Sequence, residues 1–361
     1  MVIEAFDRVH LDGTGIDRIT EDEVVAVVRD ALARGRGGRI ITPNVDILRR
    51  ASADPAARRH LDDADLIVAD GMPLIWASRL GGAPLPERVA GSSLIWSLSA
   101  GLGRDARSIF IVGGTPAPRV LAPGLRDLLE SPLQDQSTAA GPSRRLPERS
   151  SRGLPERLSR RVAEGSSRGL PERLSRRVAE GSSRGLPGEP SRRSPEEPLR
   201  RLPAGTGTGR PCGAVRAGAR LAAASPGLRI AGAISPPYGF EDDERLYAEV
   251  CARVIDAEPD LVFVGLGFPK QETVIERLRR DLPSTWFVGC GAAVNFVAGD
   301  VHRAPRWMQR TGLEWAHRLG TEPRRLAGRY LRHDAPYALR LLARAPRRRA
   351  RPGHPAEITA G

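Results

Sequence analysis

Lysine is almost missing from this sequence: of its 56 basic residues only Lys270 is a lysine, and every other positive charge is carried by arginine. Cysteine is equally sparse. Cys212, Cys251 and Cys290 are odd in number and far apart, which excludes a disulfide framework. The six histidines have no ligand spacing, so no structural metal is expected. No apolar run approaches the roughly 18 residues that a membrane-spanning helix requires. The opening MVIEAFDRVHLDG lacks the basic-then-apolar pattern of a secretory signal, and the expectation is a protein made and kept in the cytosol.

The formal charge of +13 suggests a nucleic-acid surface until it is divided along the chain. Residues 131–213 hold 17 arginines against 9 acidic residues, and Arg347, Arg348, Arg349 and Arg351 supply most of the remainder. The rest is nearly balanced, so the basicity belongs to appendages and no nucleic-acid partner is expected of the core.

What is present reads as a large α/β domain. Thr20 to Glu23 has the form of a capping box, hydroxyl at the N-cap and carboxylate three residues on, and predicts a helix that runs to about Arg34 and stops at Gly35. Short apolar runs then alternate with helical patterns: RIIT at 39–42, DLIVA at 65–69, SIFIV at 108–112, LRIA at 228–231, LVFV at 261–264 and WFV at 286–288. Strands separated by helices predict a doubly wound, mostly parallel sheet with helices on both faces. Ligands of such sheets bind outside the carboxyl ends of the strands, and the polar turn sequences TPNVD, ADGMP, GG, SPPYGF, GLGFPKQE and GCG all follow predicted strands.

The middle of the chain differs. SSRGLPERLSRRVAEG occurs at 150–165, recurs unchanged at 166–181 and begins again at 182. These units are too few and too polar to stack into a solenoid. Proline, glycine, serine and arginine fill the region, which cannot offset an ordering entropy of roughly 1–2 kcal/mol per residue. The expected organisation is a first part of the core at 1–116, a disordered insertion at 117–213, a second part of the core at 214–302, a helical appendage at 303–345 and a basic disordered tail at 346–361. The edge of the insertion is open, because 120–130 and 214–224 both qualify as the helix that follows the GG turn.

Asp70 stands on a strand-end turn, where a carboxylate can take a proton from a hydroxyl or merely cap the helix that begins near Met72. Gly71 allows close backbone approach. Thr42 and Asn44 occupy the turn after the first core strand and fit ordinary turn and cap chemistry as well as a pocket. Lys270 replaces the third glycine of a dinucleotide fingerprint after Gly265 and Gly267, so that reading fails. A helix beginning near Pro269 would instead offer amides and a positive dipole to an anion, with the compact ammonium beside it. Asp62, Asp63 and Asp65 are accounted for by helix-end chemistry, and no DxD metal pattern lies at a likely strand end.

The succession TPNVDIL, ADLIVADGMPLIWASRLGG, LPERVAGSSL, IFIVGGTP, PPYGF, DLVFVGLGFPKQE and GAAVNFVAGDVHRAPRWMQRTGLEWAHRLGTEPRRL resembles the WecG/TagA/CpsF glycosyltransferases, family 26, over about residues 1–116 and 214–345. The resemblance implies an inverting hexosyltransferase of cell-surface polysaccharide biosynthesis. It would move an N-acetylmannosamine-type sugar or glucose from a UDP-sugar to a polyprenyl-diphosphate-linked saccharide at the inner face of the cytoplasmic membrane. It further implies Asp70 as general base, Thr42 and Asn44 in the sugar or acceptor pocket, and Gly265, Gly267, Lys270 and Gln271 near the nucleotide sugar. Arg318 and Arg325 would clamp the diphosphate in place of a metal, with no cofactor. Homo-oligomers through the globular core are also implied. Gly328 departs from the family, which often carries an arginine there, so Arg324 or Arg329 would have to compensate. Trp307 and Trp315 belong either to a core or to a basic helical face against an anionic membrane. Two other readings remain: an inactive homologue, or a basic adaptor for membrane or nucleic acid built on the insertion.

Overall fold

The computed structural model describes residues 6–117, 210–311 and 313–349. The repeats, the helix candidate at 120–130 and the tail beyond Arg349 lie outside them. Eight strands are described: β1 (Arg8–Leu11), β2 (Thr14–Asp17), β3 (Gly38–Ile41), β4 (Leu66–Ile67), β5 (Ser108–Gly113), β6 (Arg229–Ile234), β7 (Leu261–Gly265) and β8 (Trp286–Gly289). Six of them form one sheet in the order β4-β3-β8-β7-β5-β6, and every neighbouring pair in it is parallel.

The reason lies in the strand sequences, which are apolar at both parities. Ile109, Ile111, Leu261, Phe263, Trp286 and Val288 point into one buried cluster, shared with the helices Glu21–Ala33, Gly91–Arg104, Gly213–Ala224 and Ala293–Ala298. Phe110, Val112, Val262, Val264 and Phe287 point into another, closed by Glu244–Asp256 and Lys270–Asp281. Both faces are therefore covered, and each fully buried side chain of this kind contributes about 1.5–3 kcal/mol. A third cluster joins the helices Val45–Ala53, Pro55–Asp62 and Met72–Leu80 to Tyr337, Leu341 and Ala345 of the helix Ala335–Arg349. The first helix forms as its capping box predicts: Glu23 N–H donates to Thr20 Oγ1 at 3.3 Å, and Thr20 N–H donates to Glu23 Oε2 at 2.8 Å.

The structure differs from the sequence reading, or decides what it left open, in three places. β1 and β2 form an antiparallel hairpin with Leu11 opposite Thr14, turning on Asp12 and Gly13 at φ 47° and 84°. An Asp-Gly pair between alternating runs is a strong hairpin signal, and the sequence reading above does not include this hairpin. The first helix described after β5 is Gly213–Ala224, the second of the two candidates. Gly213 N–H donates to Thr115 carbonyl at 2.8 Å, which sets the start of this helix beside the turn after β5. Finally, the last helix reaches Arg349, beyond the expected end of the appendage at 345.

With all six strands parallel, their C-terminal turns share one edge. β3 leads outward to β4 and β5 outward to β6 in the opposite direction, with β8 and β7 filling the interval. A crevice is expected where the winding reverses in this way.

Candidate active site

Asp70 lies three residues past the end of β4, where Val68 N–H still reaches Ile41 carbonyl at 3.0 Å and Asp70 N–H reaches Pro43 carbonyl at 2.9 Å. Gly71 follows at φ 133° and ψ 136°, a conformation a side chain would strain. It is Gly71 that occupies the N-cap of Met72–Leu80, with no side-chain cap bond, so capping is not the role of the Asp70 carboxylate. The carboxylate faces Arg88 instead, with Oδ1 3.7 Å from Nη1. Val89 N–H donates to Ala69 carbonyl at 2.9 Å, which brings Arg88 alongside the end of β4.

Arg88 is shared. Its Nη1 also lies 3.2 Å from Glu314 Oε2, while Arg303 Nε lies 3.6 Å from Glu314 Oε1. The Asp70 side chain keeps 29% of its surface open, yet the surrounding protein displaces enough water that burial pushes its pKa up to about 6. The Glu314 charge pushes in the same direction, and Arg88, Arg318 and Arg303 oppose it. The result is a carboxylate that titrates near neutrality and is ringed by guanidinium groups.

Thr42 and Asn44 sit on the neighbouring turn. Thr42 is buried, and its hydroxyl donates to Gly289 carbonyl at 3.4 Å, linking the ends of β3 and β8. Asn44 caps Val45–Ala53, its Oδ1 accepting from Ile47 N–H at 3.1 Å. A Cβ at Gly71 would stand 3.9 Å from Asn44 Cβ, so Asn44 and the Asp70 turn are neighbours.

The turn after β7 carries the other expected group. Gly265 has no room for a side chain, since a Cβ would meet Val294 Cγ2 at 2.6 Å. Gly267 has φ 82° and open space where its Cβ would be. The helix Lys270–Asp281 begins there, but its first amides are not free for an anion: Gln271 N–H bonds Gly267 carbonyl and Glu272 N–H bonds Pro269 carbonyl, both at 2.9 Å. Gln271 is buried, its amide oxygen accepting from Gly267 N–H at 3.2 Å and Gly291 N–H at 3.0 Å. Lys270, the lone lysine, is exposed and ion-pairs with Glu241 of the turn Phe240–Asp242 after β6. It ties two strand-end loops together at the rim of the crevice.

The helix Glu314–Thr321 approaches the Asp70 turn, linked to it through Glu314 and Arg88. The Arg318 guanidinium lies over the Phe296 ring, 4.8 Å from its centroid. Arg325 falls within Pro323–Ala327, and its side chain lies outside the described residues. Arg329 is held by Asp334 at 3.6 Å and Asp46 at 4.0 Å, Arg324 is exposed, and a Cβ at Gly328 would meet nothing within 4 Å. Trp307 and Trp315 are exposed, not packed in a core. Among the described residues no helix is long and apolar enough to cross a membrane.

Two members of the cluster escaped the residue-level reading. Arg88 lies in the quoted LPERVAGSSL, where ERV looks like a charged loop, and Glu314 resembles any first-turn acidic residue. Asp63 and Asp65, assigned to helix ends, chiefly receive Arg39 and Arg279: Arg39 Nη1 and Arg279 Nη1 lie 3.1 and 2.9 Å from Asp63, and Arg279 Nη2 lies 3.1 Å from Asp65.

Known proteins share this arrangement of motifs. Over 294 residues, 81% of this chain and 75% of the relative, the sequence is 25% identical to the N-acetylglucosaminyldiphosphoundecaprenol N-acetyl-beta-D-mannosaminyltransferase of Bacillus spizizenii (strain ATCC 23059 / NRRL B-14472 / W23). The protein of the same name from Bacillus subtilis (strain 168) is 38% identical over 104 residues, which span 29% of this chain and 38% of that protein. The model of the glycosyl transferase WecG/TagA/CpsF family matches residues 9–128 and 204–351, leaving only the central stretch and the two ends unmatched. The chain belongs to the WecG/TagA/CpsF family of glycosyl transferases.

Proposed function

We propose that this protein transfers a hexose, of the N-acetylmannosamine type or glucose, from a UDP-sugar to a polyprenyl-diphosphate-linked saccharide, with inversion and with Asp70 as the general base. The observation that carries the reading is the Asp70 cluster: a strand-end carboxylate with a pKa near 6, facing Arg88 and Glu314 within the field of Arg303 and Arg318. A base is most effective when its pKa lies near the working pH. As an acceptor hydroxyl oxygen bonds to the anomeric carbon, its proton passes to Asp70 and the bond from that carbon to the UDP oxygen breaks. Arg88, Arg303 and Arg318, with Arg325, would stabilise the negative charge that gathers on the departing diphosphate. Thr42 and Asn44 line the Asp70 side of the crevice, and Gly265, Gly267, Lys270 and Gln271 line the nucleotide-sugar side. The names of the two relatives favour N-acetylmannosamine as the sugar and an N-acetylglucosaminyl diphosphoundecaprenol as the acceptor. An acceptor of that kind would bring the protein to the inner surface of the cytoplasmic membrane, where the exposed Trp307 and Trp315 suit the interface.

The test is UDP release across a panel of UDP-sugars, with and without polyprenyl-diphosphate-linked acceptor, beside Asp70→Asn. Acceptor-dependent release from one donor is expected, with kcat reduced about 10²- to 10⁴-fold in the variant, the contribution of a positioned base. Failure of the folded protein to bind UDP in calorimetry would remove the reading.

A further inference from the structure

Beneath the turns that follow β7 and β8 lies a buried chain of polar groups that the proposed chemistry does not use. Arg39 is on β3 and Glu272 is in the first turn of Lys270–Asp281; both are completely buried, and Nη2 lies 2.7 Å from Oε2. The second guanidinium nitrogen reaches outward to Asp63 at 3.1 Å. The other carboxylate oxygen, Glu272 Oε1, accepts from Gln271 Nε2 at 2.9 Å, and Gln271 Oε1 accepts from the backbone N–H groups of Gly267 and Gly291. The position after Val288 is kept clear for these groups: a Cβ at Gly289 would meet Gln271 Nε2 at 2.5 Å and Glu272 Oε1 at 2.6 Å. Gly267 and Gly291 both have positive φ and open space on the Cβ side, as backbone closely approached by a ligand requires.

A glutamine amide can be turned either way round, with one end a donor and the other an acceptor. Here only one orientation fits. Turned over, the NH₂ group would face two N–H donors and the carbonyl would face a carboxylate. The Glu272 oxygen that faces the amide disfavours the second orientation, and the Arg39 contact at 2.7 Å holds that side chain in place. We propose that Arg39 and Glu272 are positioning residues for the transfer reaction: through Gln271 they lock the Gly267 and Gly291 turns into the shape that receives the diphosphate part of the donor. The proposal rests on the reading of this side of the crevice as the nucleotide-sugar subsite.

A merely structural ion pair makes a different prediction. Removing one member of a buried pair strands the other charge, whereas replacing both by uncharged groups of similar size is often tolerated. Arg39→Met is therefore compared with the double variant Arg39→Met/Glu272→Gln and with Glu272→Gln, which keeps the volume and leaves Arg39 its Asp63 partner. Three quantities are read: thermal unfolding, UDP affinity by calorimetry, and amide hydrogen exchange at Gly267 and Gly291. The double variant is expected to recover the stability lost in Arg39→Met. It should still bind UDP about tenfold more weakly than the parent, the equivalent of one lost hydrogen bond, with faster exchange at both glycines. In Glu272→Gln, KM for the donor should rise more than kcat falls, and the acid limb of the pH–rate profile, which belongs to Asp70, should stay in place. Recovery of stability and UDP affinity together, or unchanged exchange at Gly267 and Gly291 in both variants that carry Glu272→Gln, would overturn the proposal. Absence of UDP binding by the parent protein would instead remove the subsite reading on which it rests.

Discussion

Two helices of the C-terminal segment meet the core in opposite ways. Ala335–Arg349 buries Tyr337, Leu341 and Ala345 at intervals of four residues, against Leu74, Ile75 and Ala77. Tyr337 also donates its hydroxyl proton to Asp12 at 2.6 Å. Glu314–Thr321 buries none of its residues, and it meets the core through the Glu314 ion pairs with Arg88 and Arg303 and through Arg318 over Phe296. The first helix is an anchor held chiefly by apolar area, with Asp12 receiving Tyr337 and Arg344 at its edge. The second reaches the Asp70 cluster and is held by charge. Apolar packing fixes position without regard to ligand, whereas a guanidinium held by a carboxylate or a ring can exchange that partner for a phosphate.

The comparison breaks most sharply on stability. Leu341→Ala is expected to cost about 2–5 kcal/mol in urea unfolding, the usual price of an emptied core site. Trp315→Ala, on the exposed face, should stay within about 0.5 kcal/mol of the parent. Equal losses would mean that the site helix is packed as firmly as the anchor. The next effect concerns Asp70: as the proposed base it would act only when ionised, so activity should rise with pH through about 6. Glu314→Gln removes a negative charge that favours the protonated form and should move that limb to lower pH. Arg88→Gln should move it higher and lower kcat by about tenfold, as for a lost charge-assisted contact. A limb that ignores both changes would detach the site helix from Asp70.

The smallest effect is on pH-dependent stability. The folded pKa of Asp70 is raised to about 6, above an unfolded value of about 3.9. The stability that its protonated form contributes is therefore complete below about pH 4 and lost as pH rises through about 6. Asp70→Asn should melt higher than the parent at pH 7 to 8, with the gain shrinking toward pH 4. A gain that does not vary with pH would place its origin elsewhere.

How far the sequence was legible follows from range. The six core strands could be read because burial on both faces requires apolar residues at both parities, which SIFIV and LVFV display within a few residues. The β1–β2 hairpin is equally local, and Asp12-Gly13 announces it. Asp70 could be singled out as a strand-end carboxylate, but its pKa could not, because that depends on Arg88, Arg303, Glu314 and Arg318 arriving from elsewhere in the chain. Lys270 could be seen as singular, while its partner Glu241 follows a different strand. Arg39 looks like the charged edge of a strand until Glu272 is brought beneath it.

The sequence by itself determined the layered α/β fold, the helix caps and the turns that end the strands, since hydrophobic period, capping and glycine chemistry act over a few neighbouring residues. The tertiary structure alone decided which charges meet: the guanidinium ring around Asp70, the Lys270–Glu241 tie and the sealed Arg39–Glu272 pair. Electrostatic effects depend on distance and on the exclusion of water, and neither exists until the parallel sheet has brought its strand ends to one edge.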